Sequence, residues 1–199
     1  MPNETSFLND ALAQIGQPRI TAIDDGSVSA NHCQTLWPPL RQAMLRSHHW
    51  NFAEARIELA QNVTAPTFEW AYAYDLPADL LKVKEVNGGE PVPYSTDTWW
   101  PVSTGYKIEG RQLLSNDGIV KIVYVKDVEN PDLWDALFYQ AAAAWLASKL
   151  AMAIAKNAQM SQALLQQAHA VLLPLAMTVD GQEMTTPQLR NDTLTWGRW

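Results

Sequence analysis

Apolar positions recur every three to four residues at both ends of the chain and every second residue in between. Leu8, Leu12 and Ile15 line one side of a helix expected over 6–15, capped by Thr5 or Ser6. Gly16 ends it and Pro18 bars its continuation. From a cap at Ser29, the residues Cys33, Leu36, Trp37, Leu40, Met44 and Leu45 repeat at helical spacing. Pro38 and Pro39 each remove a backbone donor and crowd the preceding turn, which predicts a helix in two pieces with a kink. The second piece ends near 47–49.

Between 50 and 126 the period falls towards two. Phe52, Ala55, Ile57 and Leu59 predict a strand. TFEWAYAYDLP predicts another, ended by Pro77, and a third covers 83–86. Asn87-Gly88-Gly89 is a turn, and the Pro-rich EPVPYSTDTWWPV reads as a loop or irregular edge. GYKIEGRQLLS is a hairpin turning at 109–111, Asn116-Asp117-Gly118 a second turn, and 119–126 a strand rich in Ile and Val.

The helical period returns at Pro131, a residue suited to a first helical turn. A helix from there to Lys156 would be about 38 Å long. Leu137, Ala144 and Ala151, with Ala141, Ser148 and Ala155, form a ridge of mostly small residues along it. Trp134, Phe138, Trp145 and Met152 flank the ridge on one side; Leu146, Leu150 and Ile154 flank it on the other. Such a ridge admits another backbone closely, either inside one subunit or between subunits, and Ala141, Ala144, Ser148 and Ala151 are the candidate subunit-packing residues. A last helix begins at Ser161, carries Leu164, Leu165, Ala168, Val171, Leu172 and Leu175, and is bent or ended by Pro174. Beyond Thr178 the chain is polar and without period, and reads as an extended arm.

The expected class is therefore α+β: two N-terminal and two C-terminal helices form a bundle (1–49 and 130–177). An antiparallel β block (50–129) is inserted, and an arm (178–199) follows.

Composition changes the picture in two ways. Charged residues make up 18%, against the roughly 25% usual for globular proteins, while nine Trp add apolar surface. Partners are an economical way to bury it. The net charge of −7, with no basic run, argues against gripping duplex DNA; like charge would let DNA slide past. The start carries neither a basic nor an apolar signal region, and the uncharged stretch 157–179 is too polar to span a membrane.

Candidate chemistry is sparse. His48, His49 and Glu54 are the best metal set, and would suit a small metal-dependent hydrolase or nuclease. Adjacent histidines diverge by about 100° on a helix, however, and a helix C-terminus favours them electrostatically. Cys33, the only cysteine, sits at apolar helical spacing and excludes a disulfide framework. Glycine-rich phosphate loops and nucleophile elbows are not found. Trp70, Tyr72 and Tyr74 alternate on one strand face and could stack single-stranded bases, or pack on the bundle. The terminal WGRW either packs back, is disordered, or anchors the arm in a partner's groove.

The order of ALAQIGQPRI, a helix leading into LRSHHWNFAEAR, then WAYAYDLPADLLKVKEV, a hairpin and two helices resembles the head-to-tail connector (adaptor) proteins of tailed bacteriophages, the tail tubular protein A family. The most specific pieces are Trp50-Asn51-Phe52-Ala53 and Tyr74-Asp75-Leu76-Pro77-Ala78-Asp79-Leu80, both packing motifs, and the resemblance covers about 5–177. It implies a non-enzymatic virion protein of the neck, made in the host cytoplasm and needing no metal or cofactor. Rings of about twelve copies would join portal to tail or nozzle protein and line the channel for DNA ejection, with no membrane partner. Trp50 and Phe52 would then plug the bundle–sheet junction, and Leu194, Trp196, Arg198 and Trp199 would dock the arm on the portal.

Overall fold

The computed structural model describes residues 3–89 and 105–183. The chain is α+β, with helices at both ends and two antiparallel three-stranded sheets between them. The loop expected at 90–102 and the portal anchors Leu194, Trp196, Arg198 and Trp199 lie outside the described residues.

Helix α1 (Glu4–Gln14) is capped by Asn3 and not by Thr5 or Ser6. Asn3 accepts from the Ser6 amide while Ser6 Oγ accepts from the Asn3 amide. At its end Gly16, at φ +68°, lets Gln17 N–H reach the Leu12 carbonyl, 3.0 Å, and Gly16 N–H reach Ala13, 3.1 Å. Helix α2 (Val28–Ser47) starts two residues early, on Ser27, and runs unbroken through Pro38 and Pro39. The expected division into two pieces does not occur. The carbonyls deprived of donors belong to Gln34 and Thr35, which are exposed, while Trp37, Leu40 and Met44 hold the opposite face in the core.

Among the described residues six strands follow: β1 (Glu54–Glu58), β2 (Tyr72–Asp75), β3 (Leu80–Val86), β4 (Tyr106–Glu109), β5 (Gln112–Ser115) and β6 (Lys121–Lys126). One sheet has the order β1-β6-β3 and the other β2-β5-β4. The hairpin β4–β5 turns at Gly110-Arg111, as its sequence predicts. Phe52 belongs to a short 3₁₀ turn before β1, and Trp70 lies outside β2, so both expected strands are shorter. β6 divides two cores. Ile122 and Tyr124 face a cluster with Leu59, Tyr74, Leu76, Leu113 and Val120, whereas Val125 joins the helical core. The two-residue period of a strand thus gives one segment to two hydrophobic clusters.

The long helix expected from Pro131 is divided. A 3₁₀ turn (Pro131–Leu133) comes first, and α3 (Ala136–Ala153) begins only where Asp135 accepts from the Leu137 and Phe138 amides. Trp134 fills the gap, donating from Nε1 to the Val128 carbonyl at 2.9 Å. Lys156 at φ +51° and Asn157, which caps the next helix, reverse the chain before α4 (Ala158–Gln167). A π-helical segment (Ala168–Leu172) leads into α5 (Leu173–Gln182). Pro174 is accommodated there, because the widened turn displaces the carbonyl its ring would strike. Residues expected at the root of an extended arm, 178–182, are therefore helical.

Candidate interaction surfaces

RSHHWNFAEAR (46–56) is the seam between α2 and β1. Trp50 is wholly buried in the helical core and donates from Nε1 to the Met44 carbonyl, 3.1 Å. Its ring meets Phe138 edge-on at 4.9 Å, and the half-buried Phe52 lies 5.0 Å from the same Phe138. The side chains of Trp50 and Phe52 are thus both seated on α3 where the chain leaves the bundle for the first sheet.

Asp180, placed in the arm by its sequence position, completes the seam. Its carboxylate accepts from the Asn51 amide at 2.9 Å and lies 3.2 Å from His48 Nε2; Asn51 Nδ2 donates to its carbonyl at 2.8 Å. The spacing Leu173, Ala176, Asp180 continues the buried helical face and could have marked it.

The metal set does not gather. His48 is committed to Asp180, and Glu54 to Lys84 at 2.7 Å and Arg56 at 2.6 Å. His49 has no hydrogen-bond partner at Nδ1, and burial, followed by the charges of Lys82 and Lys84, lowers its pKa. Among the described residues no group of three or more His, Cys, Asp or Glu is placed to hold a metal ion. The Cys33 thiol is buried and pushed up to about 11 by that burial, far from a reactive thiolate.

Tyr74 is wholly buried and donates to the Asp117 carbonyl at 2.5 Å. It does not share an open face with Tyr72 and Trp70, so the expected stacking face is not assembled.

The small-residue ridge is covered within the chain. Ala141, Ala144, Ser148 and Ala151 are each at most 2% exposed, in a helix enclosed by α1, α2, α4 and α5. The close approach they permit is to the chain's own helices, so these four are not available as a subunit-packing surface. Apolar surface remains outward elsewhere: Met152 on α3, Leu165 on α4, Val171 in the π segment and Leu175 on α5. Among the described residues, no helix is long and apolar enough to cross a membrane.

Among the described residues, cavities flank the second sheet. One, of about 540 Å³, lies under a loop whose Phe68 is 79% exposed. A γ-turn closes that loop, with Glu69 at φ +72° and Trp70 N–H on the Phe68 carbonyl at 2.9 Å. Another, of about 360 Å³, lies between β3, β4 and the end of α2.

Arg41 is a further structural residue that the hydrophobic pattern alone did not assign. It sits on the buried face of α2, between Trp37 and Met44, and grips Asp127 with two nitrogens at 2.8 and 2.9 Å. Burial raises the Asp127 pKa, but the bonds from Arg41 and Gln42 and the Arg41 charge outweigh it and hold the carboxyl below its usual value. A charge on an apolar helical face demands such a partner, and that was the available signal. Compared with known proteins, the chain matches no family model and no curated protein.

Proposed function

We propose that the chain is a structural virion protein, a head-to-tail connector whose copies form a ring between portal and tail and line the DNA channel. The observation that carries the reading, beside the order of sequence motifs, is apolar surface exposed among the described residues. Met152, Val171 and Leu175 are 53%, 58% and 47% exposed. The last two, with Leu165, lie on a stretch, 157–179, without a formal charge. A second copy seated on this face would cover them without desolvating an ion. With the α3 ridge already buried, the side-to-side contact is assigned to the outer face of α4 and α5. A charge of −7 per copy, repeated around a ring, favours passage of DNA over its retention. Leu194, Trp196, Arg198 and Trp199 are the proposed portal anchors, acting together by avidity.

The test is mass in solution, alone and mixed with portal rings, followed by imaging of any complex. The expected result is a ring on the portal, lost in Val171→Glu with Leu175→Glu while the monomer stays folded. A monomer indifferent to portal rings, with or without residues 194–199, would defeat the proposal.

A further inference from the structure

The 360 Å³ cleft is electrostatically out of character with the chain. The protein carries −7 overall, yet this cleft is lined by Arg46, Lys82 and Arg111, and no carboxylate side chain is among the described residues that line it. Among the described residues, none of the three cations has an acidic partner within ion-pair distance.

The two guanidinium groups are held in place from behind. Arg46 donates from one terminal nitrogen to the Leu81 carbonyl, and Arg111 from one to the Pro77 carbonyl. Each retains further N–H donors for a ligand. Anchoring reduces the side-chain entropy that a ligand would otherwise have to overcome. Between the cations the walls are apolar, and Tyr106 and Ile108, 43% and 44% exposed, project from the same side of β4.

We infer that this cleft docks a polypeptide segment bearing a carboxylate beside an apolar side chain. Arg46 and Arg111 bind the carboxylate, Lys82 adds charge, and Tyr106 and Ile108 receive the apolar neighbour. Planar guanidinium groups match a carboxylate through paired N–H bonds. The apolar walls argue for a peptide over a nucleic-acid backbone. So does the net charge of −7, which opposes the approach of a polyanion to the chain as a whole. Consecutive β3 residues, Leu80 to Val83, line the cleft, and among the described residues β3 pairs on one side only, with β6. Its backbone is a further means of holding an extended peptide. This inference stands independently of the connector reading.

The experiment pans a random heptapeptide library on the immobilised full chain and measures selected peptides by fluorescence anisotropy. Enrichment of Asp or Glu next to a large apolar residue is expected, with binding weakened at least about tenfold in Arg111→Gln and in Lys82→Gln. Lys82→Gln removes no observed hydrogen bond, so it remains informative if Arg111→Gln folds poorly. The inference is overturned by absence of enrichment, by peptides without carboxylates, or by affinity unchanged in the folded Lys82→Gln variant. Oligothymidine binding in preference to the peptides would overturn it as well.

Discussion

Asn51 and Asp180 close the chain on itself across 129 residues: the Asn51 amide donates to the Asp180 carboxylate at 2.9 Å, and its side chain donates to the Asp180 carbonyl at 2.8 Å. The seam between bundle and sheet is therefore tied to the last turn of α5. Replacing Asp180 by Ala leaves a half-buried amide and His48 without their acceptor. Urea unfolding of the variant should show a loss of about 2–3 kcal/mol. A midpoint shift within error would mean that water replaces the carboxylate freely.

Arg41 and Asp127 fasten α2 to the end of β6, with side chains only 6% and 11% exposed. Arg41→Ala strands a buried carboxylate and should cost about 3–5 kcal/mol. Arg41→Met with Asp127→Leu removes both charges and should cost less than either single change, which a double-mutant cycle would measure. Because Asp127 is depressed below the ordinary 3.8, its contribution is complete above that value and fades as pH falls through the lower folded pKa. Asp127→Asn should flatten that acid limb of the stability curve.

His49 gives a second pH signature. Its folded pKa is lowered from 6.5 by burial, then by Lys82, Lys84 and His48, against the opposing charge of Glu54. Below 6.5 the unfolded chain takes up a proton that the folded chain resists, so stability falls as pH falls. His49→Gln should reduce the slope of stability against pH below 6.5. An unchanged slope would assign it to other groups.

Ala144 and Ser148 distinguish a private core from a shared one. Ala144→Leu should lower the stability of the isolated chain by about 1–3 kcal/mol, because α3 has no room to accept the added methylenes. A variant that melts like the parent but no longer assembles would return the ridge to the subunit interface.

Much of the fold was legible from local pattern. Helix α1, the hairpin β4–β5 and strand β6 obey periods that depend only on neighbours in sequence, and Gly16 and Gly110 mark positions that need positive φ. Pro38 and Pro39 show where local reasoning fails. A helix continues through them because its buried face is held by distant residues and its freed carbonyls face solvent. Asp135 shows the reverse: a cap four residues beyond the expected start at Pro131 moved the beginning of α3.

The candidate surfaces were less legible, since each combines residues far apart in the chain. The sequence alone determined the α+β class, the order of elements, the net charge and the low share of charged side chains, because these depend on composition and near-neighbour spacing. Only the tertiary structure decided that the α3 ridge is covered, that Asp180 closes the seam, and that Arg46, Lys82 and Arg111 share one cleft. Burial and juxtaposition are set by which distant segments pack together, and no period along the chain encodes that.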